Sequence, residues 1–159
     1  MKKEIERKFL IESMPDLGNI KPQIYERHFL SRNPSSEIRI QKKGEKYEFE
    51  RKEKINNLMS KKDKFEITKE KFFKLKENSK GIISRESYLL SKNPEISIKI
   101  YHGKFEGLKR VEVEFENEVE AHEFKPLVWF GKEITDSPLG SDSKLADLSK
   151  IEFENLNRL

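Results

Sequence analysis

Segment after segment of this chain alternates an apolar residue with a charged or polar one. Ile38 and Ile40 alternate with Arg39 and Gln41, Tyr47 and Phe49 with Glu48, Glu50 and Lys52, and Ile96, Ile98 and Ile100 with Ser97 and Lys99. Val111, Val113 and Phe115 stand opposite Arg110, Glu112 and Glu114. A two-residue period is that of a β-strand, whose side chains point to opposite faces in turn. Seven or eight such strands are predicted, and their polar faces carry charges of both signs. A flat sheet leaves such faces in water, whereas a closed antiparallel barrel turns one of them inward. The alternation by itself does not choose between the two.

The composition sharpens the problem. Charged residues make up 39% of the 159 and hydrophobic ones 34%, so much charge must be either solvated or used to line an internal polar cavity. The length suits one domain over residues 1–159 with a sizeable core. The net charge of +4 is small and interspersed and does not itself indicate a nucleic-acid partner. With no cysteine there are no disulfides or thiolate metal sites, in keeping with a cytoplasmic protein. No apolar run approaches the ~18 residues of a membrane span.

The first ten residues hold the most chemically specific pattern. As a strand, they place Glu4, Glu6 and Lys8 on one face and Ile5, Arg7 and Phe9 on the other. Carboxylates at i and i+2 sit about 6.5–7 Å apart, a spacing from which both can reach a hard cation. Lys8 adds a positive charge where an anion bridged to that cation would lie. On an arbitrary edge strand the same residues would be a solvated row of charges.

The intervening segments read as strands over 23–30, 62–67 and 82–90 and as three helices. Thr68 is the expected N-cap of a helix over 69–79. Asn117 and Glu120 are placed to cap a short helix from Glu118, and a last helix is expected over 143–150. His28, His102 and His122 lack the mutual spacing of a zinc site and read as solvent-facing or turn residues. Trp129-Phe130 reads as core packing at a helix end, and Lys61-Lys62-Asp63-Lys64 as a solvated loop edge.

Taken in order, these segments resemble the CYTH, or triphosphate tunnel metalloenzyme, superfamily. Glu4-x-Glu6-x-Lys8 resembles its signature, Ile38-Arg39-Ile40 its basic strand, and Phe49-Glu50-Arg51-Lys52 the strand that ends in an inward lysine. Phe65-Glu66-Ile67 with the helix after it, Tyr101-His102-Gly103 leading to Val111-Glu112-Val113-Glu114-Phe115, and Trp129–Thr135 are similar to its later segments. The resemblance implies a β-rich α+β fold, a single closed eight-stranded antiparallel tunnel with short external helices. It implies hydrolysis of inorganic triphosphate or a nucleoside triphosphate by metal-activated water, with Mg²⁺ or Mn²⁺ as cofactor. By the same resemblance Glu4, Glu6 and Lys8 are catalytic, and Lys8, Arg39, Lys52 and Arg85 bind phosphate. Glu4, Glu6, Glu112 and Glu114 hold metal, and Glu50, Glu66 and Lys99 are further tunnel residues. The partner is then a small triphosphate-containing molecule, with no membrane and no nucleic acid; a homodimer is left open.

Five positions depart from the family's pattern. Gln41 and Ser87 stand where arginines are usual, Lys64 and Lys99 where acids are usual, and Ser97 where a glutamate is usual. They motivate a second reading, a catalytically impaired tunnel that binds a phosphorylated ligand or a protein partner. A third use of the same tunnel, adenylate cyclisation, has no residue here that would recognise adenine. Salt-dependent binding to DNA or RNA would mark a fourth reading, a basic nucleic-acid-binding barrel.

Overall fold

The computed structural model describes residues 2–158, and among these nine strands and four α-helices form. The strands are β1 (Lys2–Ile11), β2 (Gln23–Asn33), β3 (Ser36–Lys43), β4 (Lys46–Lys54), β5 (Met59–Glu66), β6 (Ile82–Lys92), β7 (Glu95–His102), β8 (Lys109–Phe115) and β9 (Phe130–Glu133). The helices are α1 (Lys69–Lys76), α2 (Glu118–Glu123), α3 (Asp142–Ala146) and α4 (Lys150–Arg158).

Eight strands run antiparallel in the order β5-β4-β3-β2-β6-β7-β8-β1, and β1 pairs with β5 to close the barrel. The closing register sets Lys2 opposite Lys62 and Glu4 opposite Ser60. Short β2–β3 and β3–β4 connections hold the hairpins. Asn33 Oδ1 accepts from the Ser35 and Ser36 amides, and Gly44 takes φ +61° in a turn where a side chain would be strained. β9 adds to the outer edge of β1.

The apolar core lies outside the barrel. Ile5, Phe9, Ile98, Val111 and Val113 point outward from β1, β7 and β8 and are covered by Ala121 of α2 and by Phe130. At one end of the barrel Phe29, Ile83 and Leu108 meet Leu139, Leu145 and Phe153, so α3 and α4 close that end. The opposite faces of the same strands turn inward, and this places the charged half of each alternation in the lumen. The question left open by the pattern is thus settled for the closed barrel. No helix among the described residues is long and apolar enough to cross a membrane.

Several local expectations shift. Thr68 caps α1 as predicted, its hydroxyl accepting from the Lys71 amide, but the helix ends at Lys76 because Asn78 and Ser79 bond three residues back in tight turns. Asn117 caps α2 as expected. The last helix is two, α3 and α4, because Ser149 and Glu152 form a reciprocal capping box that starts a new one. Asn56 Oδ1 accepts from the Leu58 and Met59 amides, so β5 begins at Met59, and the lysines of 61–64 belong to a strand instead of a loop edge. His28 is buried, set between Glu26 and Ser79 and edge-on to Phe72, and does not face solvent. Phe130 is core as expected, but it opens β9 and does not end a helix.

Candidate functional site

The lumen is a polar cavity of about 420 Å³ with charged walls. A second cavity, of about 760 Å³, opens beside it between the 135–147 segment and the β4–β5 turn, and both are lined by Glu6, Lys8 and Lys52. The two-residue period decides what faces in. β1 contributes Lys2, Glu4, Glu6 and Lys8, β3 Glu37, Arg39 and Gln41, β4 Glu50 and Lys52, and β8 Arg110, Glu112 and Glu114. Arg85 of β6 and Lys99 of β7 also line it. Among the expected site residues, only Glu66 falls outside the lining. It follows Lys62 and Lys64 in the period of β5, but the strand overruns the mouth there and Glu66 is exposed, 3.4 Å from Lys46.

At the end closed by α3 the charges are cationic and thoroughly partnered. Arg27, Arg85 and Arg110 converge on Asp142, at 2.7, 2.9 and 3.1 Å. Arg110 also chelates Glu112, donating from Nε at 3.0 Å and Nη2 at 2.8 Å, and gives Nη1 to the Leu139 carbonyl. Arg39 donates to Glu50 at 2.7 Å and to Glu37 at 3.0 Å. Burial alone would lower the Arg85 and Arg110 guanidiniums, but Asp142, Tyr101 and Glu112 hold both above the usual arginine range. Lys8 is half-buried and donates to the Gly140 carbonyl at 2.7 Å; burial lowers its pKa against the opposing pull of Glu6 and Glu112. One donor here is left over: Arg85 Nε is buried with no hydrogen-bond partner among the described residues.

The open end is anionic and much less well partnered. The registers of β1 with β8 and of β7 with β8 put Glu6 and Glu95 on either side of Glu114, three carboxylates in a row across three strands. Like charges directly opposite in a sheet repel. Burial, a hydrogen bond with Glu95 and the charges of Glu6 and Glu4 together push the Glu114 carboxyl up to about 8. Burial would also raise Glu4, but Lys52 and Lys62 draw it down to about 2. Lys62 Nζ stands 2.8 Å from Glu4 Oε1, yet that buried oxygen receives no well-directed hydrogen bond from the described residues. Lys52 lies 3.7 Å from Glu6.

The carboxylate row suits a hard divalent cation in chemistry: all donors are oxygens, crowded enough to gain from a positive charge. Closure around one requires side-chain rearrangement, since among the described residues no three Asp, Glu or His side chains are gathered close enough to hold an ion. Glu112, expected with this group, lies instead among Arg110, Lys99, Lys8 and Arg85, which hold its carboxyl well below the usual range although burial would raise it.

Four of the five departures from the family pattern contact a polar or charged neighbour in the lumen wall. Gln41 stands opposite Arg27 in the β2–β3 register. Its Oε1 accepts from Arg27 Nε and Nη2 at 3.0 and 2.8 Å, while its Nε2 donates to Glu48 at 2.7 Å and Glu50 at 2.9 Å. A guanidinium at position 41 would instead repel Arg27. Ser87 stands opposite Lys99 and accepts from its ammonium at 2.7 Å, and burial lowers Lys99 to about 8 against the pull of Glu112. Lys64 reaches Glu48 at 4.0 Å.

Sequence reasoning did not single out Arg27, Arg110, Tyr101, Lys62 or Asp142 as site residues. Arg110 and Lys62 were findable, since each shares its strand face with a chosen residue. Asp142 lies outside the strands and carried no signal.

No family model matches the chain. The inorganic triphosphatase of Nitrosomonas europaea is 27% identical to it over 146 residues, which is 90% of this chain and 96% of that protein. A solved structure of an inorganic triphosphatase overlays with a TM-score of 0.66 at 27% identity, covering 94% of this chain and 97% of that one. A Pyrococcus horikoshii protein shares the fold, with a TM-score of 0.62 at 16% identity over 76% of this chain and 84% of its own.

Proposed function

We propose, for a chain that belongs to the CYTH, or triphosphate tunnel metalloenzyme, superfamily, that the tunnel hydrolyses a triphosphate, inorganic triphosphate foremost. The observation that carries this reading is the polarity of one enclosed lumen, with cations gathered toward one end and crowded carboxylates at the other. A triphosphate carries about four negative charges, and a wall that includes Lys8, Arg39, Lys52 and Arg85 can answer them with charge-assisted hydrogen bonds. The triphosphatase relative of similar length supports inorganic triphosphate over a nucleoside triphosphate.

Glu4, Glu6 and Glu114, joined by Glu95, would hold a divalent cation, Mg²⁺ or Mn²⁺. Such an ion supplies Lewis-acid polarisation of phosphoryl oxygens and a more acidic water. The chain's own part is electrostatic and positional. Arg39 and Lys52 stabilise charge on the transferred phosphoryl group, and Lys8 and Arg85 stabilise the leaving phosphates, in a lumen where water no longer screens them. Glu112, already chelated by Arg110, serves mainly to keep the arginines in place. The cytoplasm is the proposed setting.

One observation favours a tunnel that binds without turnover: Lys62 and Lys52 already pair with Glu4 and Glu6. Phosphate release decides between the two. Tripolyphosphate, ATP and pyrophosphate are each incubated with Mg²⁺ or Mn²⁺, with Glu6→Gln as control. Release from tripolyphosphate that disappears in the control is expected; no release from any substrate would overturn the hydrolase reading.

A further inference from the structure

We propose that Asp142 is a specificity-determining residue: its carboxylate fills the innermost anion seat of the tunnel and so fixes how far a chain of phosphates can run toward the arginine end. The proposal rests on the reading of the lumen as a polyphosphate site. The seat is built by donors from four strands. Arg27 Nη1 and Arg85 Nη1 lie 2.7 and 2.9 Å from Oδ2, while Arg110 Nη2, at 3.1 Å, and the Tyr101 hydroxyl reach Oδ1. Three guanidiniums around two oxygens is an arrangement suited to a phosphoryl group. Here the protein supplies the anion itself.

Asp142 reaches the seat on α3, a plug delivered from outside the barrel, and its position is fixed from both sides. Leu139 and Leu145 are buried in the cluster beneath the barrel, and the Gly140 carbonyl takes the Lys8 ammonium. A Cβ on Gly140 would lie 2.1 Å from the Ile134 carbonyl oxygen, so the segment packs flush against that strand end. The residue is 4% exposed. Burial would raise its carboxyl, but Arg85, Arg110 and Arg27 hold it well below the usual range, so it is an anion at neutral pH.

The occupied seat changes which arginines are available. All three nitrogens of Arg27 already donate, to Gln41 and Asp142, and all three of Arg110, to Glu112, Leu139 and Asp142. Arg85 keeps a buried, unpartnered Nε. An incoming phosphate chain therefore ends at Arg85, while Arg27 and Arg110 stand behind Asp142 as its support.

Two measurements test this, both on the full chain and both independent of turnover. In the first, assigned arginine Nε–H signals of the wild-type protein are followed by NMR as tripolyphosphate is added without divalent cation. Arg85 and Arg39 are expected to shift while Arg27 and Arg110 stay in place; equal shifts in all four would overturn the proposal. In the second, calorimetry compares wild type with Asp142→Asn, which keeps the shape and removes the charge. Inorganic phosphate and tripolyphosphate are expected to bind at least tenfold more tightly to the variant, with the largest gain for linear tetraphosphate. Unchanged or weaker binding by a folded variant would overturn the proposal while leaving hydrolysis intact. Tripolyphosphate that binds as described but is not hydrolysed would sink only the hydrolase reading. No binding at all would remove both. Should Asp142→Asn fail to fold, the wild-type arginine signals still decide.

Discussion

The two ends of this tunnel handle buried charge in opposite ways. At the closed end every arginine faces a carboxylate at hydrogen-bonding distance: Arg27, Arg85 and Arg110 on Asp142, Arg110 on Glu112, and Arg39 on Glu50. At the open end Glu6, Glu114 and Glu95 stand side by side, and Glu114 is pushed to about 8. The first arrangement is satisfied in the free protein except at Arg85 Nε, and it holds its donors in fixed positions. The second is incomplete until a proton or a cation arrives. Preorganisation is therefore concentrated where the phosphates are proposed to bind, and electrostatic tension where the cation is proposed. Each end can be perturbed without touching the other, and the contrast can be tested accordingly.

The largest effect is expected at the closed end. Arg110→Met leaves Glu112 and Asp142 buried with fewer cations, and breaking such a pair costs about 3–5 kcal/mol. For a chain of this size that lowers the midpoint of thermal unfolding by roughly 10 °C. Glu95→Gln, at the open end, removes one of three repelling carboxylates and should leave the metal-free midpoint unchanged or slightly higher. Equal losses in the two variants would erase the distinction between the ends.

Next in size is the effect of the carboxylates on turnover. Glu6→Gln should lower phosphate release from tripolyphosphate by at least about 10²-fold, the scale of losing one focused electrostatic contribution. Its circular dichroism should match the wild type, because no buried cation depends on Glu6 alone. Full activity in both Glu6→Gln and Glu4→Gln would move the cation site elsewhere.

A smaller effect is written in the pH dependence of stability. The folded state holds the Glu114 proton up to about 8, whereas the unfolded chain releases it near 4.5. Between those values the native state binds more protons than the unfolded state, so stability falls as pH rises. The stabilisation is complete below about 4.5 and gone once pH passes about 8. Thermal midpoints of metal-free protein should decline across that window. Glu114→Gln should flatten the decline, and so should Mg²⁺ or Mn²⁺, which takes over from the proton. A flat profile in the metal-free wild type would mean that the carboxylate row is already relaxed.

Much of this was legible in the chain, for a reason specific to barrels. Because side chains alternate strictly along a strand, Glu4, Glu6 and Lys8 had to share a face, as did Glu50 with Lys52 and Glu112 with Glu114; closure then turned those faces inward together. Arg110 could have been chosen by the same logic, since it sits two residues before Glu112. Lys62 was passed over because the strand was expected to begin there, and an Asn56 side-chain turn starts it three residues earlier. Glu66 kept the right phase but lies past the end of the tunnel; alternation gives a side, never a depth. Asp142 was not legible at all. Its contacts depend on a short helix meeting four strands that are distant from it in sequence, and no local period encodes that meeting.

The finest test concerns whether the unusual lumen residues are lost functions or relocated charges. Ser87 and Lys99 face each other across β6 and β7, and the serine hydroxyl accepts from the ammonium. If the two are coupled, exchanging them together for the family's usual types should be milder than exchanging either alone. Ser87→Arg puts a guanidinium against the Lys99 ammonium. Lys99→Asp puts a carboxylate near Glu112 and removes one of its cations. Each single variant should lower stability by about 1 kcal/mol, while the double variant, with Arg opposite Asp, should recover to within about 0.5 kcal/mol of the wild type. Urea unfolding of the four proteins measures the coupling directly. Additive losses would mean that Ser87 and Lys99 arose independently, and the lysine would then count as damage to the acidic half. A coupling of about 1 kcal/mol or more would instead make the pair one unit, in which positive charge has moved from β6 to β7 without leaving the tunnel.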